Sequence, residues 1–471
     1  MLYMMMSRSP GGPWPKSPCK SESFYAEGVM GLCASSAADT NTMGNSNSRK
    51  KAPPSTQKGQ PKRKKFKSAA SKYGPYKPSV SADGTTTWSA PKNEDWPIFT
   101  TESDLRKWLL KHVSVSDQVD QTIVRKPGTL EGTQFIINNC KNCQFWLLDF
   151  TSTITIDKCE NCKFYIGPCE SSLFIRDSKN CAAVMAVGQL RTRDCHNMKI
   201  LLYSQTEPVI EKSSNLKFGC FHSSYFNLLN QMHLVGLNEW QNLWCNIHDF
   251  TPGSSHNWSQ LPSRTTAFDI LNVRPEEIDG NGGSVSWSEY GAEDPIISEN
   301  ERLNGSYAGL SAIPVTYGVN SEDVMNSKDK TDVFIFACRG ESILDEDLKD
   351  YSKTICNALL KLNVGEENGS KTLKNPSICL VRTKSYQLEL DMANRLFVGT
   401  IASKKALKTC CDDISVGMHF KVPNTMLNYV GEAVKGLMAA PDAKTNLLYL
   451  WENEQDKIRM YFEEFKLSES T

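Results

Sequence analysis

The stretch "NNCKNCQFWLLDFTSTITIDKCENCKF", residues 138–164, carries two CxxC pairs, Cys140/Cys143 and Cys159/Cys162, with fifteen residues between them. That spacing matches a four-cysteine zinc site. It also matches the start of a repeat, and the flanking sequence decides between the two. "INNCKNC" at 137–143 recurs as "IDKCENC" at 156–162 and as "IRDSKNC" at 175–181. Weaker copies follow as "TRDCHNM" at 192–198 and "IEKSSNL" at 210–216. The asparagines Asn142, Asn161, Asn180, Asn197 and Asn215 advance in steps of 19, 19, 17 and 18 residues.

Across these copies the first cysteine column reads Cys140, Cys159, Ser178, Cys195, Ser213, and the second reads Cys143, Cys162, Cys181, Met198, Leu216. Tetrahedral zinc needs four thiolates or imidazoles at one point, whereas columns that drift to Ser, Met and Leu describe an interior stack. No metal is therefore expected. A repeat near 18 residues, rich in β-formers and with asparagine at one corner, predicts a right-handed parallel β-helix with equivalent residues stacked. Alternation then assigns Ile137, Ile156, Ile175, Thr192, Ile210 and Phe135, Ile154, Leu173, Leu190, Pro208 to the interior. Between them, Gln189, Arg191 and Arg193 form an outward row.

The two arginines differ in their neighbours. Arg193 belongs to the column Asn138, Asp157, Arg176, Arg193, Glu211, which predicts a ladder ion pair with Glu211 and a structural role. Arg191 belongs to the column Ile136, Thr155, Phe174, Arg191, Val209, which offers no acid. An unpaired guanidinium on a rigid, partly apolar face is a candidate for a partner's phosphate, an ordinary solvated arginine being the alternative.

Working outward, 471 residues suffice for two or three domains. Formal net charge is zero, so the whole molecule offers no field for nucleic acid. Sixteen cysteines in a long chain suggest reduced thiols, and no apolar run approaches the ~20 residues of a membrane span. Residues 1–94, rich in Ser, Lys, Pro and Gly, are expected to be disordered. Residues 95–250 form the β-helix, 251–328 a connector, and 329–471 a smaller α/β domain in which runs such as "DVFIFA" and "SICLV" alternate with helical patterns.

At "GQLRTRDCHNMKILLYSQTEPVIEKSSNLKFGCF" and "NLWCNIHDFTP" the chain resembles the tubulin-binding cofactor C family, over about 126–262. The Q-x-R-x-R and F-x-x-x-x-x-F-G-C-type strings are specific to that family. The resemblance implies that Arg191 is an arginine finger supplied in trans to a small GTPase, an Arf-like one of the ciliary type. It implies that Gln189 and Glu211 help bind that GTPase and that Phe250 adds an aromatic contact. GTP and Mg²⁺ would belong to the partner, so the chain is expected to be an activator rather than an enzyme, with no cofactor of its own; it contains no GxxxxGK[ST] motif. Two other readings stay open: a tubulin-folding cofactor acting on β-tubulin, although residues 1–94 cannot form the helical bundle of those proteins, and a non-catalytic β-helix adaptor. The family also implies a ferredoxin-like carboxy-terminal domain akin to nucleoside diphosphate kinase. His419, in "GMHFKV", lacks the H-G-S-D context of phosphohistidine chemistry and reads as a satisfied strand histidine.

The amino-terminal region carries a membrane signal. "MGNSNS" at 43–48 and "MGLCAS" at 30–35 both fit M-G-x-x-x-[ST], placing N-myristoylation on Gly44 or Gly31 if Met43 or Met30 initiates, with Cys33 as a palmitoylation site in the second case. Ten basic residues between Arg49 and Lys72, with no acid among them, would reinforce attachment to an anionic surface. A nuclear-localisation patch, "PKRKKFK", is the rival reading. Together these place the expected site of action at the cytoplasmic face of the plasma or ciliary membrane, or at the cilium and basal body.

Overall fold

In a computed structural model, the described residues are 73–91, 93, 96–225, 227–253, 256–263, 265–272, 311, 313–319, 321, 324, 329–338, 345–367, 370–373, 377–387, 414–439, 446–450 and 462. Their centre is a twelve-stranded sheet wound into a parallel solenoid. One face stacks Ser114–Ser116, Phe135–Asn138, Ile154–Asp157, the end of Lys163–Arg176, the end of Ala182–Arg193, Val209–Glu211 and His248–Asp249. The next face stacks Thr122–Arg125, Gln144–Leu147, the starts of those two long strands, His196–Ser204, Ser214–Cys220 and Trp258–Gln260.

The corners explain the repeat. Each coil turns through two left-handed residues three positions apart: 117/120, 139/142, 158/161, 177/180, 194/197 and 212/215, all with φ between 45° and 59°. Asparagine and aspartate tolerate that conformation best after glycine. The side chains also tie successive coils. Asn161 Nδ2 donates to Asn142 Oδ1 (3.2 Å), Asn197 to Asn180 (2.6 Å) and Asn215 to Asn197 (3.0 Å).

The inward columns are buried as the alternation predicts, and the cysteines are part of that core. Cys140, Cys143, Cys159, Cys162, Cys181 and Cys195 each donate S–H to the carbonyl two residues earlier, at 3.2–3.4 Å. Burial pushes the Cys195 thiol up to about 11. The long strands pass from one face to the other at Gly167 and Gly188. A Cβ at Gly188 would stand 2.5 Å from Glu170 O, so only glycine allows the bend.

Two boundaries differ from the compositional reading. Within 1–94, residues 77–80 and 86–89 form an antiparallel hairpin. Tyr76, Trp96, Phe99 and Trp108 pack there with the helix Glu102–His112, a local aromatic cluster that the Ser/Lys/Pro average conceals. Within 251–328, Trp258–Gln260 pairs with Ser214–Cys220 as a last rung, and the helix Ala267–Leu271 packs on the outside of the sheet. Both segments are used because the solenoid's ends and its second face must be covered.

Apart from an inserted hairpin, Val364–Glu367 with Ser370–Leu373, the carboxy-terminal part follows the β-α-β-β-α-β order of a ferredoxin-like domain. Its antiparallel sheet runs Cys379–Gln387, Ile414–Pro423, Lys330–Cys338, Asn446–Leu450, with the helices Asp345–Lys361 and Leu427–Ala439 between strands. Val333, Ile335, Met418 and Phe420 make its core against Leu348, Ile355, Leu359 and Val430.

The corner geometry has a stability consequence. Asn180→Ala removes a residue suited to φ 57° and its ladder bond, and should cost about 2 kcal/mol. Lys212, strained at φ 45°, should gain up to about 1 kcal/mol as Lys212→Asn. Denaturant titration of both variants checks the opposite signs.

Candidate functional site

Gln189 and Arg191 lie at the end of Ala182–Arg193, on the first face of the solenoid. Register places Arg191 between Phe174 on one side and Val209 on the other, and Val209 is followed by His248. The column assigned from sequence is the one the fold builds. Arg191 Nε donates to Gln189 Oε1 at 2.9 Å. The guanidinium carbon stands 5.9 Å from the centre of the Phe174 ring, within cation–π range. Among the described residues its two Nη groups have no hydrogen-bond or ion-pair partner, so the donor fork faces outward.

Glu211 pairs in register with Arg193, as expected, but the predicted ion pair does not form. Arg193 Nε instead reaches Asp194 Oδ2 at 3.4 Å, both side chains being about half exposed. The left-handed turn at Asp194 brings that carboxylate closer than the rung below. Glu211 is left without a side-chain partner among the described residues. Phe250 continues the face: its N–H donates to Ile210 O (2.9 Å), its ring meets His248 edge-on at 4.6 Å, and it is 63% exposed. The fold thus brings Gln189, Arg191, Glu211 and Phe250 onto one face across three rungs. His248 and Phe174 join them; only the column register could have pointed to Phe174, and His248 follows no repeat motif. Gly44, Gly31 and Cys33 lie outside the described residues.

Residues 132–250 match the family model "Tubulin binding cofactor C". Protein XRP2 of Xenopus laevis is 44% identical over 283 residues, covering 60% of this chain and 68% of the relative. The chain belongs to the XRP2 family. Protein XRP2 of Homo sapiens is 47% identical over 191 residues, covering 40% of this chain. The match spans about half the length of the human and Gallus gallus relatives, 55% and 47%. A solved Tubulin Binding Cofactor C from Leishmania major is 17% identical, covering 31% of this chain and 87% of its own, at a TM-score of 0.23.

In this XRP2-family chain no group of three or more His, Cys, Asp and Glu is placed to hold a metal among the described residues. His419, the other candidate for chemistry, is committed to structure. Asp332 Oδ1 lies 2.8 Å from its Nε2, Arg382 Nε donates to its Nδ1 at 3.3 Å, and Phe334 stacks on it at 4.2 Å. A ring that accepts at Nδ1 is neutral and donates from Nε2. Burial, assisted by the Arg382 charge, pushes its pKa down to about 4 from the ordinary 6.5.

Acid should therefore destabilise this domain. The unfolded chain takes up a proton as pH falls through about 6.5, while folded His419 stays neutral to about 4. Stability is intact above 6.5 and should fall by about 2 kcal/mol at pH 5. Urea titrations at pH 7 and 5 should show that loss shrinking in His419→Gln.

Proposed function

We propose that this protein activates GTP hydrolysis by an Arf-like small GTPase, inserting Arg191 as the finger. The observation that carries the reading is the arginine itself, exposed on a stacked sheet with Nε held by Gln189 and both Nη groups free among the described residues. Charge grows on the phosphate oxygens as GTP is cleaved. A guanidinium from a second protein displaces water and neutralises that charge, worth ~10³–10⁵ in rate, about 4–7 kcal/mol. The solenoid holds the finger's backbone in place before the partner arrives. Glu211 and Phe250 flank it as contacts for the GTPase, so binding and catalysis draw on different side chains. GTP and Mg²⁺ come with the partner.

Attachment through a Met-Gly acyl chain and the basic run belongs to the same proposal, placing the protein at the cytoplasmic face of a plasma or ciliary membrane. The name of the matching family model carries tubulin, whose bound GTP is a second substrate for the same arginine; tubulin therefore enters the assay as a separate arm.

Single-turnover hydrolysis with a panel of Arf-like GTPases and with αβ-tubulin tests the reading. Arg191→Ala should reduce the maximal stimulated rate on the order of a thousandfold while partner affinity falls far less. Arg191→Lys should rescue poorly, since an ammonium cannot span two phosphate oxygens. Arg193→Ala should leave thermal stability nearly unchanged, because its exposed pair with Asp194 contributes little. Full stimulation by Arg191→Ala overturns the proposal.

A further inference from the structure

On the second face of the solenoid the outward column beside the corner reads Lys163, Ala182, Lys199, Lys217, Ser259 in direct register. Lys199 and Lys217 are exposed and stand opposite each other on adjacent rungs, roughly 4.8 Å apart at the backbone. Like charges directly opposite destabilise a sheet. Elsewhere this solenoid avoids that cost. Asp157 and Arg176 form a two-pronged pair at 2.7 Å, and the neighbouring turn column alternates Lys141, Glu160, Lys179, with Glu160 3.8 and 3.6 Å from the two lysines. Lys163, Lys199 and Lys217 have no acid within ion-pair distance among the described residues. The nearest covering helix, Ala267–Leu271, offers Asp269, whose Oδ2 accepts from the Thr266 N–H and hydroxyl.

We infer that this lysine column is a docking surface for an anionic lipid bilayer. The column is the exposed margin of a face whose next outward column, Tyr165, Val184 and Leu201, is covered by helices, and its lysines follow one line along the stacked rungs, which suits a surface of phosphate and carboxylate headgroups. The same chain carries the acid-free basic run from Arg49 to Lys72, so two separate segments are charged for the same surface. The orientation is useful. Ala182–Arg193 bends at Gly188, so Ala182 sits in the lysine column while Arg191 sits on the other face. A bilayer on the lysine column leaves the arginine face clear of the lipid. The inference goes beyond the amino-terminal attachment proposed above and stands whether or not Arg191 serves a GTPase.

The test uses the full-length, unacylated chain and phosphatidylcholine vesicles with and without phosphatidylserine, at physiological ionic strength. The Lys199→Gln/Lys217→Gln double variant should partition about thirtyfold less onto phosphatidylserine vesicles, the equivalent of about 2 kcal/mol. Lys353→Gln/Lys435→Gln, an equal charge change at two lysines already paired on the α/β domain's helices, should change little. Lys217→Glu separates the effects by sign: it completes a ladder pair with Lys199, so it should raise Tm while weakening vesicle binding. Equal losses in the two double variants, or wild-type partition in the first, overturn the inference. So does a column that binds a polyglutamate peptide with vesicle partition unaffected by its loss, an outcome that assigns an acidic polypeptide instead.

Discussion

A parallel solenoid depends on its corners. Each rung hydrogen-bonds the one above at a fixed spacing, so every coil must turn at the same place and in the same backbone conformation. Here the turn needs two left-handed residues per coil, and Asn142, Asn161, Asn180, Asn197 and Asn215 supply one of them in all five copies of the motif. The amides then do a second job, passing hydrogen bonds from coil to coil along an edge where the backbone alone would leave the turn exposed. The interior tolerates variation that this Asn position does not show in the five copies: Cys140 and Ser213 occupy one buried column, Cys143 and Leu216 the next.

That rigidity is what the proposed role of Arg191 draws on. A long side chain on a loop would lose rotamer entropy on meeting a phosphate, whereas Arg191 starts from a stacked strand with one edge already engaged by Gln189. Using Nε for that bond spends the donor that points back along the stem and leaves the terminal fork unspent. Phe174 offers an apolar shelf from the previous rung without supplying a charge that would compete. Had the column carried aspartate in place of Phe174, as the Arg193 column carries Asp157 two rungs earlier, the guanidinium would have been neutralised within the fold.

Most of this arrangement was legible in the sequence, because a stacked repeat converts alignment of its own copies into three-dimensional register. The columns through Arg191 and Arg193 follow from counting residues between asparagines. Side-chain choices within a column did not follow: Arg193 turned to Asp194, since a left-handed turn brings a chain neighbour close, which column counting ignores. The hairpin at 77–89 and the rung Trp258–Gln260 escape such counting for a related reason. Neither belongs to the repeat, and their aromatic and strand residues are diluted by the polar segments around them.

The segment joining the two folded parts bears on the site as well. Trp240 is buried in the core of the α/β domain, and Thr383 Oγ1 donates to its carbonyl at 3.0 Å. Four residues on, Trp244 is buried in the solenoid core, its Nε1 donating to Thr316 Oγ1 at 2.9 Å. Between the helix Leu228–Leu234 and these anchors, Glu239 is 1% exposed, with Lys349 of the α/β domain and His233 both 3.0 Å from its Oε2. Burial alone would raise its pKa; the His233 hydrogen bond and the Lys349 charge outweigh that and hold it at about 2. A carboxylate kept charged in so dry a place is costly to separate from its cation, so the contact resists sliding of one part over the other. The chain leaves Trp244 and within a few residues forms the rung of His248 and Phe250. The aromatic edge of the arginine face thus lies just beyond two buried tryptophans, one in each core, while its own placement comes from the solenoid, where the His248 and Phe250 N–H groups donate to Pro208 O and Ile210 O at 2.8 and 2.9 Å.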